Sequence, residues 1–177
     1  MTKIDDARLF AKAAHHGQTR KGVGQEPYFI HLEEVAALVE RFGGSETAIM
    51  AAWLHDTVED CAVELDDIRD QFGAGVAAVV AELTDDKSLP KPERKRMQVI
   101  NAAGKSAEAA LVKLCDKISN IRAVAVSPPV HWSEDRKLAY VDWASEVVAA
   151  LPDVLPEAGL TAFEDVVALA RQSISQG

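Results

Sequence analysis

Residues 48–54, Ala-Ile-Met-Ala-Ala-Trp-Leu, are seven apolar residues in succession, and on a helix they put apolar groups on every face over nearly two turns. An element that is apolar all round has to be enclosed, so the rest of the chain must be built around it. Apolar residues recur at helical spacing along almost the whole sequence, and no segment alternates like a half-buried strand. The 29 alanines, against 10 glycines and 7 prolines, favour helix further, because alanine loses no side-chain entropy there. The spacing predicts helices at about 4–16, 31–42, 45–60, 64–72, 74–84, 91–104, 106–125, 134–151 and 157–174. Ser45, Ser106 and Ser133 stand where helix N-caps are needed, and Gly43, Gly73 and Gly104 stand where helices should stop. At 177 residues the chain has room for one ordinary domain. The expected fold is therefore all-α, a single domain over residues 1–177 built as a bundle of about eight to nine helices.

Two stretches break the helical pattern. Residues 17–28, GQTRKGVGQEPY, read as a basic glycine-rich loop leading into His31, and residues 85–92, with Pro90 and Pro92, read as an exposed loop. The net charge of -9 opposes general nucleic-acid binding. It is unevenly spread: residues 55–70 carry seven acids and one Arg, whereas residues 87–96 carry five basic residues against Glu93. Cys61 and Cys115 form neither a CxxC pair nor a disulfide-dense pattern, and no signal-peptide or membrane-length apolar run is visible. A cytoplasmic protein is expected, with no membrane partner and with the oligomeric state open to self-association.

The buried helix runs straight into His55-Asp56 and then Glu59-Asp60. Ionised groups at the end of a buried element need partners, and a divalent cation is an economical one for an imidazole beside a carboxylate. Glu59 and Asp60, three and four residues after Asp56, would lie one turn further along, where they either handle a proton or simply end the helix in solvent. His31 opens a helix, where a lone histidine is more often a cap or surface residue than a ligand. Lys113, Asp116 and Asn120 share one face of the 106–125 helix, a face that is solvated unless another element covers it. Together His31, His55, Asp56 and Asp116 would supply two imidazoles and two carboxylates without a thiolate, a set suited to manganese, iron or zinc. Such an ion, with positions left for water and substrate, is a hydrolytic arrangement.

The ordered set H-x(23)-HD-x(59)-D, with HDTVED at 55–60 and KLCDKISNIR at 113–122, resembles the HD-domain metal-dependent phosphohydrolases. More narrowly it is similar to the hydrolase domain of RelA/SpoT-type alarmone enzymes and to the single-domain small alarmone hydrolases of the metazoan SpoT-homologue type. The likeness extends through AKAAHHGQTRK at 11–21, PYFIH at 27–31, FGAGVAAVVAELT at 72–84, LPKPERKRMQV at 89–99 and PPVHWSEDRKLAYVDWA at 128–144. Leu32, Cys61 and Cys115 depart from the usual Pro, Thr and Ala of the family without touching a ligand.

The resemblance implies an HD-type helical bundle holding Mn²⁺, or another divalent transition metal, that removes the 3′-diphosphate of (p)ppGpp as pyrophosphate. It implies His31, His55, Asp56 and Asp116 as metal ligands and Glu59 and Asp60 as the acids that activate or position water. It further implies Arg20 and Lys21 beside the nucleotide and its phosphates, Asn120 on the ribose side, and Arg136 and Tyr140 as substrate contacts. A single domain of this kind would degrade the alarmone without synthesising it. Two competing readings stand beside this one: an HD phosphohydrolase of another nucleotide, such as a 2′-phosphatase acting on NADPH, and a non-catalytic helical module that binds a nucleotide. His15, His16 and His131 read as structural or surface residues. Trp53, Trp132 and Trp143 read as core packing, and the basic run at 91–96 reads as a solvated helix start.

Overall fold

The computed structural model describes residues 2–176 and contains ten helices in chain order. They are α1 (Lys3–Ala14), α2 (Phe29–Arg41), α3 (Glu46–Leu54), α4 (Thr57–Asp60), α5 (Leu65–Phe72), α6 (Ala74–Leu83), α7 (Lys91–Ala102), α8 (Ala107–Val126), α9 (Glu134–Ala149) and α10 (Glu157–Ser175). No strand forms among the described residues, and none of their helices is long and apolar enough to cross a membrane.

α8 is the axis of the bundle. It is packed by α2, α3, α6, α9 and α10, and α3 in turn lies among α1, α2, α6 and α8. All seven residues of the apolar run on α3 are buried, as an all-apolar helix requires. Leu32 on α2, Leu54 on α3, Ile68 on α5, and Leu114, Ile118 and Ile121 on α8 are fully buried, each stabilising the fold by about 1.5–3 kcal/mol through burial. The predicted caps form: Ser45, Ser106 and Ser133 accept from the backbone N–H of Ala48, Ala109 and Arg136. Gly73, at φ 96°, ends α5 and starts α6 in a backbone region that side-chain-bearing residues rarely enter.

The count of ten, rather than eight to nine, comes from one break. The helix expected over 45–60 stops at Leu54 and resumes as the single turn α4, with His55 and Asp56 between. Two side chains take carbonyls of the last α3 turn: Thr57 Oγ1 donates to Leu54 O at 2.7 Å, and His55 Nδ1 lies 2.8 Å from Ala52 O. The helix ends here because its own side chains satisfy its carbonyls.

The 15–28 loop is held in place. Thr19 bridges Pro27, Gly22 bridges Pro129, and Tyr28 N–H donates to Gln18 O at 2.9 Å. At Gly22 an added Cβ would stand 2.4 Å from Ser127 O, so only glycine permits this approach of the loop to the end of α8.

Candidate active site

Four side chains from three elements converge beside α8. His31 comes from the first turn of α2, His55 and Asp56 from the break after α3, and Asp116 from the middle of α8. His31, His55 and Asp116 each bring one donor atom to within 4.8 Å of the others. Asp56 Oδ2 lies 3.1 Å from His55 Nε2 and 3.6 Å from His31 Nε2, and Asp116 Oδ1 lies 3.8 Å and 3.4 Å from the same two nitrogens. All four expected ligands therefore face one point.

The tautomers of both imidazoles follow from their other nitrogens. His55 Nδ1 faces a carbonyl, which only accepts, so Nδ1 carries the proton and Nε2 keeps its lone pair. His31 Nδ1 is 2.9 Å from Ser119 Oγ, and that hydroxyl donates to Glu34 Oε2 at 2.7 Å, so it accepts from His31 Nδ1–H. Arg122 holds Glu34 in turn. Both Nε2 atoms are buried with no hydrogen-bond partner, an arrangement that costs free energy unless a Lewis acid takes the lone pairs. Two imidazole nitrogens and two carboxylates, with no thiolate, fit a divalent transition metal. Burial opposes a charge on His55, yet with no ion between them the Asp56 and Asp116 carboxylates outweigh it and lift its pKa to about 10, so a cation at Nε2 would take the place of the proton those carboxylates otherwise favour there. The same imidazoles, together with Lys117 beside Asp116, hold both carboxyls well below the usual range against the opposing effect of burial.

Two sequence readings change here. His31 is 1% exposed rather than a surface cap. The Lys113–Asp116–Asn120 face is not solvated, since Lys113, Asp116 and Lys117 are all buried. Lys117 Nζ stands 3.4 Å from Asp116 Oδ2, donates to Gln98 Oε1 at 3.1 Å, and lies over the Trp143 ring at 4.3 Å. The covering elements are α7 and α9, which periodicity within α8 alone could not reveal.

The acidic pair divides. Glu59 is mostly buried, accepts from Asp85 N–H at 3.2 Å and lies 3.7 Å from Arg94, and burial raises its carboxyl pKa. Asp60 is exposed and paired with Lys87 Nζ at 2.6 Å. The helix does not end in free solvent at Glu59, because the 84–86 loop covers it.

A cleft of about 630 Å³ is lined by Tyr28 and Asn120, the residues that hydrogen-bond Asp56 and Asp116. Arg20, Lys21, Asn120, Arg136 and Tyr140 all line it, so each expected substrate contact faces one space. Arg20 donates to Asn120 Oδ1 at 3.1 Å, and Asn120 donates to Asp116 Oδ1 at 2.6 Å, which joins the loop to Asp116 through α8. Lys91 and Lys95 from the start of α7 also line the cleft, so that run is more than a solvated helix start. Trp132 packs against the core and also forms part of the cleft wall beneath Arg136, at 4.8 Å, while Trp53 packs on Phe29 in the interior as expected. His15 is buried and stacked on Tyr28, whereas His16 and His131 are exposed.

Sequence reasoning missed Tyr28, whose hydroxyl donates to Asp56 Oδ2 at 2.5 Å, and the Ser119–Glu34–Arg122 chain behind His31. Tyr28 stands three residues before His31, and Glu34 three after it, so helical spacing about that histidine was the available signal.

The HD domain family profile matches residues 7–141. Proteins named guanosine-3′,5′-bis(diphosphate) 3′-pyrophosphohydrolase MESH1 are similar to this chain. The one from Drosophila melanogaster is 43% identical and the one from Homo sapiens 44% identical, each over 148 residues that span 82% of this chain and 83% of the relative. A solved structure described as a metazoan ortholog of SpoT that hydrolyzes ppGpp superposes with a TM-score of 0.89 at 36% identity, covering 95% of both chains.

Proposed function

The chain belongs to the HD-domain family, and from that premise we propose that it hydrolyses the 3′-diphosphate of guanosine 3′,5′-bis(diphosphate), releasing pyrophosphate and leaving GDP, or GTP from the 5′-triphosphate form of the substrate. The observation that carries this reading is the pair of buried, unpartnered Nε2 atoms of His31 and His55 aimed at Asp56 and Asp116 beside a basic cleft. His31, His55, Asp56 and Asp116 would hold Mn²⁺, the ion we assign among the divalent metals that this donor set suits. Bound there, such an ion supplies Lewis acidity toward a phosphoryl oxygen and lowers the pKa of water.

The chain's own groups have separable tasks. Glu59 takes the proton from the attacking water, because burial leaves its carboxyl more basic than an ordinary glutamate. Asp60, exposed and paired with Lys87, positions that water. Tyr28 fixes Asp56, and Asn120 ties Asp116 to Arg20, so the loop that meets the nucleotide is mechanically joined to the ligand set. Arg20, Lys21 and Arg136 neutralise the polyanion, and Tyr140, with its hydroxyl kept neutral by burial, lines the wall on which the nucleoside lies. We assign the enzyme to the cytoplasm on its two unpaired cysteines.

Product analysis after incubation with ppGpp and Mn²⁺ tests the reading. Pyrophosphate release, abolished by His55→Ala and by Asp116→Asn, is expected. Release of single phosphates, or preferential turnover of NADPH, would overturn it.

A further inference from the structure

A second cleft, of about 250 Å³, lies between the α6–α7 loop, α7 and the start of α8. It shares no lining residue with the larger cleft, and α7 divides the two: Lys91 and Lys95 face the first, whereas Arg94, Gln98 and Asn101 face the second. Its volume is below the range of about 300–1,000 Å³ usual for drug-sized ligands, so its occupant is small.

Its wall carries three acids and three cations, and the two sets are held differently. Three acids line it, and all are engaged: Glu82 accepts from Ser106 N–H, Asp85 from the Gln98 amide, and Asp86 from Ser88. None of the three cations donates a hydrogen bond to a carboxylate, although Arg94 lies 3.7 Å from Glu59. Lys113 is 5% exposed, yet its ammonium has no hydrogen-bond acceptor, the nearest carboxylate being Asp116 Oδ2 at 4.0 Å. Arg94 Nε is buried without a partner, and Lys105 donates only to the backbone oxygen of Glu82. Lys113 lines the cleft, and an ammonium there with no hydrogen-bond acceptor in the protein can donate to an anion. The repulsion is also visible at Lys105, where burial and then the Lys113 ammonium push the pKa down to about 8.

We propose that this second cleft binds a phosphate-class oxyanion, held by Lys105, Lys113 and Arg94 on the side of Glu59 and Asp116 away from the nucleotide cleft. Two sources carry that chemistry: free phosphate, and the diphosphate that the proposed reaction releases. The site itself does not depend on which nucleotide is hydrolysed.

Calorimetric titration of the whole chain with inorganic phosphate, and separately with inorganic pyrophosphate, tests this in metal-loaded and in chelator-stripped protein. One saturable event is expected for the wild type in both metal states. It should weaken at least tenfold in Lys105→Met and return in Lys105→Arg, while metal-loaded Lys105→Met keeps wild-type kcat/KM. Pyrophosphate binding at least tenfold tighter than phosphate assigns the site to the leaving group; equal binding assigns it to free phosphate. The proposal is overturned if stripped wild-type protein binds neither anion, or if Lys105→Met binds both as the wild type does. Failure to turn over ppGpp would leave these titrations unaffected, so the two readings fail separately.

Discussion

His31 illustrates how a residue acquires a role from its neighbours. Its Nε2 is available to a cation only because Ser119 accepts from Nδ1–H, and Ser119 accepts because Glu34 takes its own proton. Removing that anchor in Ser119→Ala should weaken metal binding by about 10–100-fold while leaving far-UV circular dichroism unchanged, as calorimetry with Mn²⁺ would show. Glu59 acquires its basicity in a similar way, from burial under the 84–86 loop. A raised carboxyl pKa means protonation sets in at a higher pH than for a free glutamate, so a reaction needing the ionised form loses rate on the acid side sooner. Glu59→Gln should lower kcat by about 10²–10⁴-fold with little change in KM, and should flatten that acid limb in a kcat–pH profile.

Among the elements, the break between α3 and α4 and the loop at 15–28 matter most. The all-apolar α3 fixes the height at which His55 and Asp56 leave the core, and the carbonyls taken by His55 and Thr57 end the helix there. An uninterrupted helix would have carried Glu59 and Asp60 on as neighbours of one surface. Instead one is covered and the other exposed. The loop depends on the contact of Gly22 with Ser127. Gly22→Ala puts a methyl against a backbone oxygen, and overpacking of this kind typically costs about 1–3 kcal/mol. The expected outcome is a lower Tm together with a raised KM, because Arg20 and Lys21 sit on the displaced segment. A rise in KM without any change in Tm would contradict the packing account.

The whole molecule carries a net charge of -9, yet it presents Arg20, Lys21, Lys91, Lys95, Arg122 and Arg136 to one cleft. With only Glu26 and Glu34 opposing them, these cations leave the wall positive, and a low-dielectric positive wall concentrates an anionic substrate against the repulsion of the rest of the surface. That attraction is screened over about 8–10 Å at physiological salt. Accordingly kcat/KM should fall as ionic strength is raised from low salt to about 0.5 M, and the dependence should be shallower in Arg136→Ala, measured by steady-state kinetics across a salt series. A slope identical to that of the wild type would remove Arg136 from the electrostatic rim.

The helices and their serine caps were legible in the sequence, and so was the set His31, His55, Asp56 and Asp116 that the fold brings together, because periodicity, capping and an ordered motif are read along the chain itself. What covers α8 was not. Whether Lys113, Asp116 and Lys117 meet water or protein depends on α7 and α9, which lie tens of residues away in sequence and beside them in space. The same holds for the division of Glu59 from Asp60, for Lys91 and Lys95 facing the nucleotide cleft, and for the Lys113 ammonium at the wall of the second cleft. Burial and unpaired donors belong to the packed chain, since each is set by what a distant segment brings against the residue.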